Sequence, residues 1–263
     1  MTAKRFEGQV VIVTGGGKGL GEADAKLFAQ EGAQVIVADV DQESGRRVAE
    51  EIGETASFRA LDVADENAWQ ALIADVLAKH GKLDVLVNNA GIINVNSPET
   101  ITAEDLRRAW EVNVVGTMYG CKHALPALKR NEEGGAIVNM SSITAVRGVP
   151  HVVAYSATKG AIEAYTRSLA VYCAQSGLRV RVNAVLPAAI DTPMFHDFAG
   201  KLSAFEEPAG EPATANDDGP ALGHPHDVAA LVAFLASPDA RFLNGQCIKL
   251  DNSASVTLGH VPS

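Results

Sequence analysis

The chain has 263 residues, of which 47% are hydrophobic and 21% charged, and its 32 acidic and 22 basic residues give a formal net charge of −10. This acidic balance argues against nucleic acid or an anionic membrane as the main partner, because both attract clustered Lys and Arg. No apolar run approaches the roughly 20 residues of a membrane span, and residues 1–8 lack the pattern of a secretory signal. Three widely separated cysteines, Cys121, Cys173 and Cys247, predict reduced thiols in the cytoplasm rather than disulfides or a zinc site.

Apolar runs rich in β-branched residues alternate with helical patterns along the chain. Strands are predicted at residues 9–14, 33–39, 56–63, 83–88, 136–140, 180–185 and 246–250. Helices are predicted at residues 22–31, 42–52, 66–80, 154–175 and 227–235, with one or two more within residues 103–128. Apolar strands that alternate with helices are typical of a parallel sheet covered on both faces. Because no Pro/Ser-rich break interrupts the alternation, residues 1–263 are predicted to form one α/β domain.

Residues 193–224 depart from this pattern. They contain four prolines, four glycines and only weak periodicity, which predicts a long loop that is functional or disordered. Six acids against one base give the segment a net charge of −5, half of the chain total; the acids are Asp197, Glu206, Glu207, Glu211, Asp217 and Asp218, and the base is Lys201. The segment also carries Phe195, Phe198 and Phe205.

A glycine-rich turn, Thr-Gly-Gly-Gly-Lys-Gly-Leu-Gly at residues 14–21, joins the first strand to the first helix. Glycines permit a tight turn and let the backbone approach a pyrophosphate, which the helix N-terminus attracts. The turn therefore predicts a dinucleotide site that includes Gly15, Lys18, Gly19 and Leu20, although many purely structural turns also contain glycine. The absence of a Gly-Lys-Ser/Thr sequence here disfavours a P-loop nucleotide triphosphatase.

The second predicted strand ends at Asp39, 18 residues after Gly21. A carboxylate there can accept hydrogen bonds from an adenosine ribose, and it would repel the 2′-phosphate of NADP. At ~4 Å and an effective dielectric of ~20, each pair of like charges costs about 4 kcal/mol before screening. Lys18 would favour that phosphate, and Asp41 is a nearby rival for the acidic role. Because Asp39 lies directly at the strand end, the sequence favours NAD.

Tyr155 and Lys159, in the sequence Tyr-Ser-Ala-Thr-Lys, are four residues apart and thus share one helix face, ~6 Å apart along the axis. Ser142 precedes Tyr155 by 13 residues and follows the fifth predicted strand, with Ser141 as its nearest competitor. Asn-Asn-Ala-Gly at residues 88–91 ends the fourth strand, and Asn113 lies in the next helical stretch.

Together these motifs resemble the short-chain dehydrogenase/reductase family. The resemblance extends from residue 14 to residue 251 and rests on the glycine turn, Asp39, Leu61-Asp62-Val63, Asn-Asn-Ala-Gly, Asn113, Ser142, Tyr-Ser-Ala-Thr-Lys and Asn183-Ala-Val-Leu-Pro187. It implies a Rossmann doubly wound fold, with a seven-stranded parallel sheet flanked by helices on both faces, and a homotetramer.

The chemistry of such a site follows from its residue types. Oxidation of a secondary alcohol by a nicotinamide requires loss of the hydroxyl proton, and free Tyr, with a pKa of ~10, is a poor base near neutrality. Lys159 is predicted to lower the pKa of Tyr155, and the resemblance implies that it also holds the nicotinamide ribose. Ser142 is predicted to stabilise charge on the substrate oxygen. The resemblance further implies that Asn113 orients a water relay behind Lys159.

The resemblance also assigns contacts to NAD. It implies that Asp62 and Val63 contact adenine, that Asn89 contacts the adenosine ribose, and that Ile190 and Thr192 hold the carboxamide. Two departures from the family pattern stand out. Ala188 follows Pro187 where the family usually has Gly, and Asp251-Asn252-Ser253 replaces the usual Asp-Gly-Gly.

The sequence therefore predicts an NAD-dependent oxidoreductase that interconverts a small-molecule secondary alcohol and a ketone. In the family, residues equivalent to 193–224 form a lid that covers the substrate. The three phenylalanines of this segment therefore favour an apolar alicyclic or steroid-like compound. The alternative is that they only pack the lid against the rest of the domain. One alternative is a 3-oxoacyl-carrier reductase using NADPH, and another is a non-catalytic dinucleotide-sensing scaffold. No metal site is predicted, because His151, His224 and His226 fit loop positions and the seven histidines lack ligand spacing.

Overall fold

A computed structural model describes residues 4–202 and 222–256 of the chain. These residues include one seven-stranded sheet in the order β3-β2-β1-β4-β5-β6-β7, and every neighbouring pair is parallel. The strands are β1 Val10–Thr14, β2 Gln34–Asp39, β3 Ala56–Ala60, β4 Val85–Asn88, β5 Gly135–Met140, β6 Val180–Pro187 and β7 Cys247–Leu250. This arrangement confirms the predicted Rossmann doubly wound fold.

Helices cover both faces of the sheet. They are α1 Gly19–Gln30, α2 Gln42–Ile52, α3 Glu66–His80, α4 Ala103–Trp110, α5 Gly116–Leu128, α6 Val153–Gln175, α7 Pro193–Leu202 and α8 Pro225–Ala236. Residues of α1, α2 and α8 pack into one apolar cluster, and residues of α3, α5 and α6 pack into another. Successive residues of β1 alternate between the two clusters, since side chains along a strand point to opposite faces. In the described ranges, no helix combines the length and the apolar character needed to cross a bilayer.

Four local features differ from the predictions. The third strand ends at Ala60 rather than at residue 63. Residues 111–115 form a π-helical turn between α4 and α5, within the stretch predicted as one or two helices. The segment predicted as a loop begins with α7, and His226 lies in the first turn of α8, capped by His224, rather than in a loop.

The order of the sheet places a crevice between β1 and β4. The chain runs from β1 outward to β2 and β3, then returns to β4 on the other side of β1. At such a switch point the connections after neighbouring strands diverge, and ligands of open α/β sheets bind there, beyond the carboxyl ends of the strands. The glycine-rich turn follows β1, and Asn88 ends β4.

Candidate active site

A cavity of about 1290 Å³ opens beyond the carboxyl ends of the strands. Its volume exceeds the roughly 300–1,000 Å³ of typical small-ligand pockets, so it has room for a dinucleotide together with a substrate. The predicted site residues that line it are Gly15, Lys18, Gly19, Leu20, Asp39, Asp62, Val63, Asn89, Ser142, Tyr155, Lys159, Ile190 and Thr192. Of the predicted residues, only Asn113 does not line it.

Tyr155 and Lys159 occupy the first turns of α6. The Lys159 side chain is buried, and its Nζ donates a hydrogen bond of 2.7 Å to the Met140 carbonyl at the end of β5. Nζ lies 5.4 Å from the centre of the Tyr155 ring, so the ammonium faces the ring. Helix α6 thus carries both side chains, and the end of β5 fixes the position of Lys159 Nζ.

Ser142, rather than Ser141, has its hydroxyl directed to this pair. The Ser142 side chain hydrogen-bonds to Tyr155, and its Oγ also accepts a bond of 3.2 Å from the Thr144 N–H. The Ser141 hydroxyl is instead 2.9 Å from the Lys159 carbonyl, to which it donates. The choice of Ser142 over Ser141 therefore agrees with the hydrogen bonding.

Burial sets the pKa values of the pair. It raises the pKa of Tyr155 to about 12, against which the hydrogen bond to Ser142 acts, and it lowers the pKa of Lys159 to about 8. In the chain by itself the net pKa of Tyr155 is therefore raised, and the lowering effect of the Lys159 charge on it stays a prediction. Desolvation disfavours both charged forms, and the ammonium sits over the ring.

Asn113 lies within the π-helical turn Glu111–Val115. Its Oδ1 accepts a bond of 2.8 Å from the Ile92 N–H, and its Nδ2 donates to the Ile92 carbonyl and to Thr158 Oγ1, both at 3.0 Å. A Cβ added to Gly91 would lie 3.2 Å from Asn113 Oδ1 and 3.5 Å from Lys159 Nζ, so the two groups border one small space. The Asn113 side chain and Lys159 Nζ therefore lie on opposite sides of the space beside Gly91.

The glycine-rich turn has the shape that a pyrophosphate needs. Gly15 has a φ of +62°, and a Cβ there would come within 2.9 Å of the Ala90 backbone. The Asn89 side chain donates to the carbonyls of Thr14 and Gly15, at 3.0 and 3.2 Å, so it holds the turn against the end of β4. The residues present thus fit a dinucleotide, whose phosphates the N-terminus of α1 would attract.

Asp39 and its two neighbours have separate roles. The Asp39 carboxylate accepts bonds from the N–H groups of Gly17 and Asp41, at 2.8 and 2.9 Å, which hold it beside the glycine turn. Asp41 caps α2 through the Ser44 N–H and pairs with Lys18 at 2.6 Å. Lys18 is consequently paired with Asp41, and of these two acids Asp39 lines the cavity.

The two departures from the family pattern are accommodated differently. Ala188 has an ordinary negative φ, and its N–H donates to the Leu250 carbonyl at 3.0 Å, so the alanine causes no backbone strain. Asn252 and Ser253 have φ values of +42° and +65°, the left-handed region that favours glycine. The turn after β7 therefore keeps a glycine-like backbone without glycine.

Residues 193–224 border the cavity through α7. Phe195 and Phe198 line it, with ring centres 6.4 Å apart. Thr192 begins the helix, since its Oγ1 accepts a bond of 3.2 Å from the Phe195 N–H. Phe205 and five of the six acids lie outside the described residues.

Sequence reasoning missed several residues of this region. Thr158 holds the Asn113 amide and donates to the Tyr155 carbonyl at 2.7 Å. Arg108 and Arg147 line the cavity, although nothing in their local sequence indicates it. Thr158 could have been noticed, because it lies between Tyr155 and Lys159 in the same motif. In the part of the chain that the structure describes, no group of three or more potential metal ligands was found.

Comparison with known proteins places the chain among oxidoreductases. A family model described as enoyl-(acyl carrier protein) reductase matches residues 15–253. The chain is 37% identical over 249 residues to the 3-beta-hydroxysteroid dehydrogenase of Comamonas testosteroni, covering 95% of this chain and 96% of that protein. It is 37% identical over 260 residues to the L-fucose dehydrogenase of Mus musculus, covering 98% and 93%. The crystal structure of a 3-ketoacyl-(acyl-carrier-protein) reductase from Brucella melitensis, complexed with NADH, matches with a TM-score of 0.83 and 35% identity, covering 95% of this chain and 100% of that one.

Proposed function

The chain belongs to the short-chain dehydrogenase/reductase family and is an oxidoreductase, and on that premise we propose that it interconverts a secondary alcohol and a ketone with NAD. The observation that carries the proposal is that Ser142, Tyr155 and Lys159 line one cavity together with the glycine-rich turn and Asp39. A scaffold that only senses a dinucleotide would not require the first three residues in that cavity.

The residues divide the reaction between them. In oxidation, Tyr155 Oη takes the hydroxyl proton of the alcohol, while Ser142 Oγ hydrogen-bonds to the same substrate oxygen. NAD, when bound, supplies the nicotinamide ring that accepts the hydride. Lys159 stabilises the phenolate that forms on Tyr155. In ketone reduction, Tyr155 returns the proton to the oxygen.

The pKa values give the direction of the pH dependence. Burial holds the pKa of Tyr155 at about 12, so the phenol is protonated at neutral pH and ready to donate to a ketone. Oxidation requires the phenolate. At any pH below that pKa, the fraction of Tyr155 in the phenolate form rises about tenfold for each unit by which the pH increases. We therefore expect the rate of oxidation to rise from neutral to alkaline pH, and the rate of reduction to fall only as the pH approaches the Tyr155 pKa of about 12.

NAD is proposed over NADP because of Asp39. Its carboxylate is held beside the glycine turn, and the Lys18 ammonium is paired with Asp41. A 2′-phosphate placed there would meet the negative charge of Asp39. We expect kcat/KM to be higher with NAD than with NADP, and Asp39→Asn to reduce that preference about ten-fold or more. A higher kcat/KM with NADP in the unmodified enzyme would contradict the proposal.

An apolar alicyclic or steroid-like substrate is proposed because much of the cavity wall is apolar. The residues concerned are Ile92, Ile93, Ile143, Val149, Val152, Met194, Phe195 and Phe198. The hydroxysteroid dehydrogenase similar to this chain is consistent with that class.

We also propose that residues 1–263 are one domain with residues 193–224 as its lid, and that the enzyme is a homotetramer. We further propose that it works in the cytoplasm, where its free thiols would stay reduced.

The test is a panel of cyclic secondary alcohols and ketones, read by the absorbance of the reduced nicotinamide. Tyr155→Phe should lower kcat at least 100-fold, since general acid–base catalysis contributes about 10²–10⁴-fold. Tyr172→Phe is the matched control, because Tyr172 is exposed on the same helix and should leave kcat unchanged. Retained turnover by Tyr155→Phe would refute the assignment of the base.

A 3-oxoacyl-carrier reductase is the second candidate, and the similar structure from Brucella melitensis favours it. A 3-oxoacyl thioester in the same panel separates the two activities. A kcat/KM higher for the thioester than for every cyclic ketone would favour the second candidate.

A further inference from the structure

Two arginines line the cavity without a part in the chemistry described above. Arg147 lies in the segment between β5 and α6, and Arg108 lies on α4. The other two cations that line the cavity are accounted for, because Lys18 pairs with Asp41 at 2.6 Å and Lys159 donates to the Met140 carbonyl at 2.7 Å.

The turn after β7 holds Arg147 at the cavity wall. Arg147 Nη1 donates a bond of 3.0 Å to the Ala254 carbonyl, and Ala254 itself lines the cavity. The left-handed Asn252 and Ser253 form this turn at a cost in backbone strain, which often accompanies a functional position. Within the described ranges, no carboxylate lies within 4.0 Å of the Arg147 guanidinium. Four of its five N–H donors make no hydrogen bond to those residues.

Two further carboxylates that line the cavity, Asp227 and Asp251, are hydrogen-bonded within their own turns. Asp227 accepts from the His224 N–H at 2.8 Å, in the capping box of α8. Asp251 accepts from the Ser255 N–H at 2.9 Å. Arg108 has Glu111 as its ion-pair partner, at the long distance of 4.0 Å.

The distance to the reacting centre is short. Ser142 and Arg147 are separated by the 3₁₀ turn Ile143–Ala145 and one further residue, so their Cα atoms are no more than about 13 Å apart. The cavity wall formed by this segment includes Ile143, Thr144 and Val149. The span from Ser142 to Arg147 is of the order of the length of a fused-ring substrate, so a substrate that reacts beside Ser142 would reach towards Arg147.

We propose that Arg147, with Arg108 beside the same cavity, selects substrates that carry a carboxylate at the end remote from the reacting carbinol. This inference rests on the proposed function and narrows its substrate class to apolar hydroxy or oxo acids. A guanidinium binds a carboxylate through two parallel N–H bonds, and a neutral ester cannot replace them at equal strength.

The experiment compares a hydroxysteroid that has a side-chain carboxylate with the methyl ester of the same compound. Dissociation constants are measured by calorimetry on the enzyme loaded with NADH, and turnover is measured separately with NAD. We expect the acid to bind about ten-fold tighter than the ester or more, a preference that weakens as salt is raised. Arg147→Gln should bring the ratio close to one, and Arg147→Lys should restore part of it. Arg130→Gln, outside this cavity, should keep the wild-type ratio.

The outcomes separate the two proposals. Equal binding of acid and ester, or an unchanged ratio in Arg147→Gln, overturns the inference about Arg147 and leaves the proposed reaction standing. Selective binding of the acid without turnover of either compound supports Arg147 and counts against the proposed reaction. Failure of both compounds to bind overturns the inference together with the apolar substrate class.

Discussion

Asp24 is fully buried on α1, and neither of its carboxyl oxygens has a hydrogen-bond partner among the residues that the structure describes. Burial raises the pKa of Asp24 from 3.8 to about 8, because no partner offsets the loss of solvation. Between those two values the folded chain keeps a proton that the unfolded chain has released. The contribution of Asp24 to the free energy of unfolding is therefore complete below about pH 4 and is lost as the pH rises to about 8.

Asp24→Asn removes this titration with little change of volume. We expect the variant to gain more stability over the wild type at pH 8 than at pH 5, by up to about 4 kcal/mol. Urea unfolding at the two pH values measures the difference. Asp75→Asn is the control, since Asp75 is an exposed acid on α3, and its effect should be small at both pH values. An equal gain for Asp24→Asn at pH 5 and pH 8 would show that the carboxyl is not protonated in the folded chain.

Backbone hydrogen bonds join the two ends of the segment that carries α7. Asp191 N–H donates to the Gly223 carbonyl at 2.9 Å, and Gly223 N–H donates to the Ala189 carbonyl at 3.0 Å. The two ends of a segment of about thirty residues thus meet beside the cavity. No side chain of α7 is buried, so Phe195 and Phe198 face the cavity instead of the core.

We expect the double change Phe195→Ala and Phe198→Ala to raise KM for a cyclic apolar alcohol about ten-fold or more. Burying a phenylalanine side chain against an apolar ligand contributes about 1.5–3 kcal/mol. A small alcohol such as 2-propanol fills little of that surface, so its KM should change less. Steady-state kinetics with both alcohols gives the comparison. Lys201→Ala on the same helix is the control, because Lys201 does not line the cavity. Unaltered KM and kcat for the cyclic alcohol would mean that the phenylalanines only attach the lid.

The elements that the sequence predicted well are those with local signals. The predicted bounds of α2 and α3 match the structure, because Asp41 and Asp65 cap them and each buries one apolar stripe. Helix α7 was missed because it has no buried stripe to create a periodic pattern. Its phenylalanines Phe195 and Phe198 line the cavity, whose other walls come from distant parts of the chain, so no local pattern predicts their position.

The site was predictable as a set of residues but less so as a geometry. Tyr155, Lys159 and Ser142 are identified by spacing. The π-helical turn at Asn113 depends on partners 21 and 45 residues away, Ile92 and Thr158. The pKa of Tyr155 depends on burial, which no local pattern encodes. Arg147 enters the site through a contact with Ala254, 107 residues further along the chain.

At the scale of the whole molecule, several large apolar side chains of the described residues remain exposed, among them a group on α4 and α6 and a single ring before β7. Leu106 and Trp110 on α4 and Val171 and Tyr172 on α6 form the first group, and these two helices pack together. Phe242, just before β7, is 98% exposed. A homotetramer with dihedral symmetry needs two different self-complementary interfaces, and these two places supply one candidate for each.

Trp110→Glu and Phe242→Glu test the two interfaces separately. Each change buries a charge in one interface and leaves the other intact, so we expect either variant alone to sediment as a dimer and the double variant as a monomer. Sedimentation velocity of the three variants and the wild type gives the masses. Lys79→Glu, an exposed charge change on α3, should remain tetrameric and controls for net charge. A wild-type chain that sediments as a monomer would contradict the tetramer. If both single variants stay tetrameric, the interfaces lie elsewhere on the surface.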